Sequence, residues 1–328
     1  MLNLYPWQQE PWRQLAYRLD DDKVPHAILL SGPAGMGKQH FARYLATSLL
    51  CHNPDREKHQ PCMGCKSCHL IDAGNHPDLE FLFPAEEGKA IKVDQIRELI
   101  GFINLRSQLE RYKVVIIDPA ESMNRNAANT LLKTLEEPME QSVLILVSRN
   151  PARIPVTIRS RCQTINFKPV KYDQVAEWLN KQVDDASQAQ YALELANGAP
   201  IECLRMLAEG VLEQQAELIT ELERLGKLES DPIKIAEKWN AQGAGAVMQR
   251  LLHIFYELVS LKASGSVARS SNLSVDRLKR LTNQLDLYRL LLCYDRLAGN
   301  NALISSQISY NTQGLLEDFI IYWQSQHK

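Results

Sequence analysis

The sequence has no long hydrophobic run and no excess of charge of either sign. No stretch of about 18 consecutive apolar residues occurs, so no transmembrane helix is expected. The first residues lack a basic segment followed by an apolar core, so no secretory leader is expected either. Lysine and arginine number 37 against 39 acidic residues, and any DNA contact therefore has to come from a local patch. These absences predict a cytoplasmic protein with no membrane association.

Cysteine is scarce outside one segment of the chain. Three of the seven cysteines are scattered, whereas four lie within eighteen residues: Cys51, Cys62, Cys65 and Cys68. The even, distributed pattern of a secreted disulfide scaffold is missing. We therefore expect a reduced compartment and one metal site.

The four clustered cysteines predict a structural zinc site. Four thiolates from two short segments suffice for a closed tetrahedral Zn²⁺ site, and the segment has few apolar residues to fold around. An iron–sulfur cluster is the alternative, although the Cys-Pro ending of the bacterial ferredoxin pattern is missing. Four histidines lie nearby and could replace one ligand, but because the four thiolates complete the site, we expect them to be surface residues: His52, His59, His69 and His76.

Short apolar runs alternate with amphipathic segments in the first half of the chain, which is typical of a parallel sheet covered by helices. Five runs are predicted strands: 27–30, 80–83, 114–117, 143–147 and 165–167. Beyond residue 168, apolar residues recur three and four apart, as in helices. We predict an α/β domain at 1–167 that contains the cysteine insertion at 51–68, a small helical unit at 168–210 and an all-helical domain at 211–328.

A phosphate-binding loop follows the first predicted strand. Residues 32–38 read Gly-Pro-Ala-Gly-Met-Gly-Lys and precede an amphipathic helix. In such a loop, the glycines (Gly32, Gly35 and Gly37) let backbone N–H groups converge on phosphate, and Lys38 contacts the β- and γ-phosphates. The next residue is normally serine or threonine, whose hydroxyl binds Mg²⁺, but here it is Gln39.

A second strand ends in Asp118, the predicted magnesium ligand. The next position commonly carries a glutamate that activates water, but here it is Pro119, with Glu121 two positions further on. The two defects together favour a P-loop fold that has lost hydrolysis, and a slow ATPase is the alternative. Binding of ATP or ADP stays open, because Lys38 and the loop glycines are kept.

Two motifs resemble the bacterial clamp-loader subunits of the AAA+ class. They are Asn-Thr-Leu-Leu-Lys-Thr-Leu-Glu-Glu-Pro at 129–138 and Ser160-Arg161-Cys162. With His76-Pro77-Asp78, the resemblance covers residues 1 to about 210. It implies a P-loop AAA+ module, in which a five-stranded parallel sheet has helices on both faces, followed by a helical lid and an all-helical collar domain for oligomerisation.

The resemblance also implies partners and a role for one arginine. In this family the arginine of the Ser-Arg-Cys motif reaches the γ-phosphate of ATP in a neighbouring subunit, which assigns that role to Arg161. Without the family, Arg161 reads as an ordinary surface or salt-bridging arginine close to Arg153 and Arg159, any one of which can pair with an aspartate or glutamate. The implied partners are tau/gamma ATPase subunits and a delta subunit, with the sliding clamp and primed DNA reached through the complex. Lys133, Glu136 and Glu137 become a subunit-contact surface, and Cys162 is expected to be a buried packing residue.

The defects select among members of the family. A Gly-Ser-x-Arg sensor is usual after the lid, but here the chain reads Gly198-Ala199-Pro200-Ile201, with Arg205 one turn later as an imperfect substitute. Together with Gln39 and Pro119, this favours a non-hydrolysing subunit over the ATP-hydrolysing tau/gamma type. The alternatives are an active clamp-loader ATPase and a zinc-dependent DNA-binding module.

Overall fold

A parallel sheet forms the centre of the amino-terminal part of the chain. The computed structural model describes all residues except 1, 21–23, 56–59, 87, 110, 266–271, 305–309 and 328. Within them, five strands pair in the order β2-β3-β4-β1-β5. They are β1 (Ala27–Ser31), β2 (Leu79–Leu82), β3 (Lys113–Ile117), β4 (Ser142–Ser148) and β5 (Gln163–Asn166). All five predicted strands are therefore confirmed, with ends shifted by one or two residues.

Helices cover both faces of this sheet, as the sequence predicted. They are α1 (Gln9–Asp20), α2 (Lys38–Leu50), α3 (Lys66–Asp72), α4 (Val93–Ile103), α5 (Arg125–Glu136), α6 (Val156–Arg159) and α7 (Tyr172–Leu179). On one face Leu99 of α4 and Leu131 of α5 pack against strand residues such as Val115. Phe41 of α2 packs edge-on against Trp12 of α1 and Phe167 after β5. The central strands β1, β3 and β4 are buried at every position, which explains their continuous apolar runs.

The chain divides into two compact units. The first comprises residues 1–182 and 197–202, and the second comprises 183–196 and 203–328. The described residues of the second unit contain no strand, and its helices are α8 (Ala186–Leu195), most of α9 (Pro200–Ala208), α10 (Val211–Gly226), α11 (Pro232–Ala241), α12 (Ala244–Ser264), α13 (Asn272–Gln284), α14 (Leu287–Ile304) and α15 (Thr312–Ser325).

The core of the second unit is built around aromatic residues. Phe255 of α12 makes edge-to-face contacts with Phe319 and Trp323 of α15, with ring centroids 5.5 and 5.2 Å apart. Trp239 of α11 is fully buried in the same core. The apolar residues that recur three and four apart in this part of the sequence therefore form its core. No helix in the described part of the chain combines the length and apolar character needed to span a lipid bilayer.

The strand order determines where the loops of the first unit meet. β1 lies between β4 and β5, whereas the next strand along the chain, β2, lies at the far edge. The strand order therefore reverses beside β1. In sheets of this kind, ligands usually bind in a crevice at such a reversal, outside the carboxyl ends of the strands, and here β1, β3 and β4 border it. The loop at 32–37, Asp118 and Arg149 all follow these strand ends.

Candidate functional site

The predicted phosphate loop is covered by another segment of the first unit. The backbone N–H of Ile201 donates to the carbonyl oxygen of Gly35 at 3.0 Å. Gly35 has a φ of +73°, and a Cβ atom there would lie 2.4 Å from Cβ of Glu202. Only glycine fits this contact. The residues at the start of α9 therefore press directly on the loop, which a sequence reading could not show.

Lys38 bonds to its own loop. Its Nζ donates to the carbonyl oxygens of Gly32 at 2.7 Å and Pro33 at 2.5 Å. Burial, together with the positive charge of Arg149, lowers the pKa of Lys38 to about 8. Carbonyl groups of the loop thus occupy two of the three N–H donors of the ammonium.

The two acidic residues after β3 have different environments. Burial raises the pKa of the Asp118 carboxyl, while the charges of Arg149 and Lys38 oppose that shift. Oε1 of Glu121 accepts from the backbone N–H groups of Arg149 at 2.9 Å and Asn150 at 3.2 Å. Glu121 therefore holds the loop after β4 in place and does not substitute for the glutamate missing at Pro119. Gln39 is exposed at the start of α2.

A segment before α1 also holds the loop. Nε2 of Gln8 donates to the carbonyl oxygens of Met36 at 3.2 Å and Gly37 at 2.8 Å, and Nε1 of Trp7 donates to Met36 at 3.0 Å. The Trp7 ring stacks on Tyr5 and meets Trp178 of α7 edge-on. These residues carry no motif that would have marked them in the sequence.

Arg205, the imperfect substitute for the sensor arginine, pairs within its own helix. Its Nη1 lies 2.7 and 2.6 Å from the two carboxylate oxygens of Glu209, one turn further along. Arg205 and Glu209 belong to the second unit.

Arg161 follows α6 and remains partly exposed. Its Nη2 donates to Oε1 of Glu136 at 2.7 Å, and its Nη1 donates to the carbonyl oxygen of Thr157 at 3.0 Å. The side chain retains 36% of its accessible surface. Cys162 packs against the core, as expected, but it is only partly buried, and burial raises the pKa of its thiol to about 12.

The four clustered cysteines converge, as the sequence predicted. All four Sγ atoms lie within 4.8 Å of one another, and three pairs are separated by 3.5, 3.9 and 3.5 Å. A tetrahedral zinc ion with Zn–S bonds of 2.3 Å requires sulfur separations of about 3.8 Å. Burial opposes ionisation of Cys65, but hydrogen bonds from the backbone of Cys68 and His52 and from neighbouring thiols lower its pKa to about 6. Burial raises the pKa of Cys51 and of Cys68 above the ordinary thiol value, so the sulfur separations are the observation on which the metal site rests. The donor set therefore fits a thiophilic metal.

The prediction that the nearby histidines are surface residues is partly wrong. His52 and His69 are exposed and stand outside the thiol cluster, and His59 lies outside the described residues. His76, however, is buried, and both of its ring nitrogens have hydrogen-bond partners. Its Nε2 lies 2.9 Å from the Ser67 hydroxyl, and its Nδ1 accepts from the backbone N–H of Asp78. It links the helix that carries Cys68 to the start of β2.

Asp78 and Lys113 form a buried polar centre that the sequence did not reveal. Nζ of Lys113 lies 3.0 Å from Oδ1 of Asp78. The same carboxylate accepts from the Ser107 hydroxyl and from the backbone N–H groups of Gln108 and Leu109. The His-Pro-Asp motif was the one available signal for this centre.

Comparison with known proteins identifies the family. A family model described as DNA polymerase III, delta subunit, matches residues 7–171. The DNA polymerase III subunit delta' of Pseudomonas aeruginosa is 42% identical over 243 residues, which cover 74% of this chain and 73% of that protein. The chain belongs to the family of DNA polymerase III delta-prime subunits.

Two further comparisons support this family and its fold. The delta' subunit of Escherichia coli is 28% identical over 97% of this chain and 94% of its own length. A DNA polymerase III gamma subunit-related protein from Thermotoga maritima has a TM-score of 0.53 at 19% identity, covering 97% of this chain and 100% of that one. The second comparison supports the fold alone. The family resemblance of the two sequence motifs is confirmed.

Proposed function

We propose that this delta-prime family member is a non-hydrolysing subunit of the DNA polymerase III clamp loader. It assists ATP-driven loading of the sliding clamp onto primed DNA and helps to hold the ring of the clamp open. Its partners are tau/gamma ATPase subunits and a delta subunit, and it reaches the clamp and DNA through the assembly. Such a subunit works in the cytoplasm, with the replisome.

The observation that carries this proposal is a contrast between two sites of the first unit. The chain's own phosphate loop lies against Ile201 and Glu202 and lacks the hydroxyl that would bind magnesium. Arg161, by contrast, is held by two hydrogen bonds and remains partly exposed. A subunit that keeps an ordered surface arginine beside a defective loop is suited to act on ATP bound elsewhere.

Arg161 is the proposed catalytic residue, and it acts in trans. A guanidinium placed against a transferring γ-phosphoryl group neutralises the charge that develops there, and such an arginine is worth about 10³ to 10⁵ in rate. Its planar fork suits phosphate oxygens better than the point charge of a lysine. In this proposal Gly32, Gly35, Gly37, Lys38 and Asp118 form a vestigial nucleotide site that maintains the fold of the loop.

We further propose that Cys51, Cys62, Cys65 and Cys68 hold a structural zinc ion. The convergence and the separations of the four sulfur atoms support this assignment. A bound ion would cross-link the end of α2 to α3, and four thiolate ligands would leave no open position for catalysis.

The test of Arg161 uses the clamp loader reconstituted from full-length subunits. ATP turnover is measured with the sliding clamp and primed DNA present. We expect Arg161→Ala to lower turnover while assembly is unchanged by gel filtration, and Arg153→Ala, a nearby exposed arginine, to behave as wild type. Unchanged turnover with Arg161→Ala would remove the catalytic role.

The absence of intrinsic hydrolysis is tested with the isolated chain. We expect no turnover above the background of the Lys38→Ala variant. Appreciable turnover that disappears with Lys38→Ala would instead establish the chain as an ATPase in its own right.

A further inference from the structure

We propose that Glu136 is a positioning residue that aims the guanidinium of Arg161. This inference rests on the proposed role of Arg161 at a neighbour's ATP. The carboxylate of Glu136 accepts from Nη2 of Arg161 at 2.7 Å, while the carbonyl oxygen of Thr157 accepts from Nη1 at 3.0 Å. Two contacts from two different helices, α5 and α6, define the direction of a planar group in a way that one contact cannot.

The two contacts leave the arginine able to bind phosphate. A guanidinium carries five N–H donors in a plane. The hydrogen bonds recorded among the described residues use two of these, so three remain for phosphate oxygens. The Arg161 side chain keeps 36% of its surface exposed, so it remains accessible to a partner.

Both helices that supply the contacts are anchored in the core. Leu135, the residue before Glu136, is 2% exposed, and Ile158, the residue after Thr157, is fully buried. Both side chains pack in the same hydrophobic cluster, which also contains residues of the sheet. Because the acceptors stand on packed elements, they are suitable supports for a group that must be placed within a few tenths of an ångström.

The position of Glu136 is unfavourable for the helix itself. It is the last residue of α5, where the partial negative charge of the helix end repels a carboxylate. Glu137, the next residue, is a second acid at the same end. Local helix energetics therefore do not account for an acid at position 136, whereas the guanidinium 2.7 Å away does.

The expected benefit is pre-organisation. A free arginine side chain has to give up its rotamer freedom when it meets the phosphate, and this ordering costs about a factor of ten in rate or more. A carboxylate that already holds the side chain removes that loss from the catalytic step.

The test measures the part of ATP turnover that depends on Arg161, that is, the wild-type rate minus the Arg161→Ala rate, in the reconstituted clamp loader with clamp and primed DNA. We expect Glu136→Ala to lower this part about tenfold through kcat, with the KM for ATP and the assembly of the complex unchanged. Glu136→Gln keeps an acceptor oxygen and should fall in between. Glu140→Ala, which removes an exposed acid four residues further along the chain, is the control and should match wild type.

The double variant separates positioning from a structural role. In the Arg161→Ala background, Glu136→Ala should cause no further loss, because it acts only through the arginine. An equal loss in both backgrounds overturns the inference, and so does wild-type turnover with Glu136→Ala while Arg161→Ala is impaired. If Arg161→Ala itself has no effect, the proposed function fails, and the role of Glu136 fails with it.

Discussion

Asp78 and Lys113 form an ion pair of 3.0 Å in which both side chains are almost completely buried. The residues come from the start of β2 and the start of β3, so the pair joins adjacent strands at their amino ends. Nζ of Lys113 also lies 4.2 Å from the centre of the Phe102 ring in α4. A buried pair is costly to break, because removing one partner strands the other charge away from water.

Lys113→Met is therefore expected to destabilise the protein by about 3–5 kcal/mol. Urea unfolding followed by circular dichroism measures this change. The matched control is Arg97→Met, which removes an exposed ion pair with Asp94 and should cost less than about 1 kcal/mol. Similar costs for the two variants would contradict the importance of the buried pair.

The same pair predicts a pH dependence of stability. Burial opposes ionisation of Asp78, but hydrogen bonds from the Gln108 backbone and from Lys113 outweigh it and lower the pKa of the carboxyl below its ordinary value. A lowered folded-state pKa contributes stability that is complete above the unfolded pKa of about 3.9 and is lost as pH falls through the folded pKa. Unfolding free energies measured from pH 7 to pH 3 should therefore begin to fall at the acid end of this range. The free energy of unfolding of Asp78→Asn should decrease less steeply there than that of the wild type.

Cys65→Ser is expected to abolish zinc binding and to lower the free energy of unfolding by about 4 kcal/mol or more. Metal content by mass spectrometry and urea unfolding measure the two effects. Cys162→Ala, which lies outside the cluster, should retain the metal. A Cys65→Ser variant with unchanged stability but weaker DNA binding would instead favour a DNA-binding role for the cysteine segment.

Gln39→Thr, which restores the hydroxyl that is usual after the loop lysine, is not expected to restore ATP hydrolysis. Pro119 still replaces the water-activating glutamate, and Ile201 and Glu202 still lie against the loop. Phosphate release by the isolated chain is the measurement, with Lys38→Ala in the same background as the control. Turnover that depends on Lys38 would show that the hydroxyl alone was missing.

Gln8→Ala is expected to destabilise the first unit by about 1–3 kcal/mol, because two hydrogen bonds to carbonyl oxygens of the loop are lost from a fully buried side chain. Gln9→Ala changes an exposed neighbour of the same type and should cost no more than about 0.5 kcal/mol. Amide hydrogen exchange at residues 34–38 should also accelerate in Gln8→Ala. Equal stability of the two variants would show that Gln8 does not support the loop.

Local patterns predicted the elements well and the polar contacts poorly. The continuous apolar runs of β1, β3 and β4 signalled buried parallel strands directly, because both of their faces are covered. The environment of His76 was predicted wrongly, since a histidine near four cysteines gives no sign of whether Ser67 and Asp78 will enclose it. Partners that lie many residues apart leave no periodicity to read.

The sequence by itself determined the sheet, the phosphate loop, the cysteine cluster and the family, because each depends on residues a few positions apart whose spacing is set by strand, turn and helix geometry. Tertiary structure decided the rest. It brought Glu202 onto Gly35, paired Lys113 with Asp78 and set Glu136 against Arg161. These contacts depend on how the chain packs around its core, and packing relates residues by distance in space and leaves no regular spacing in the sequence.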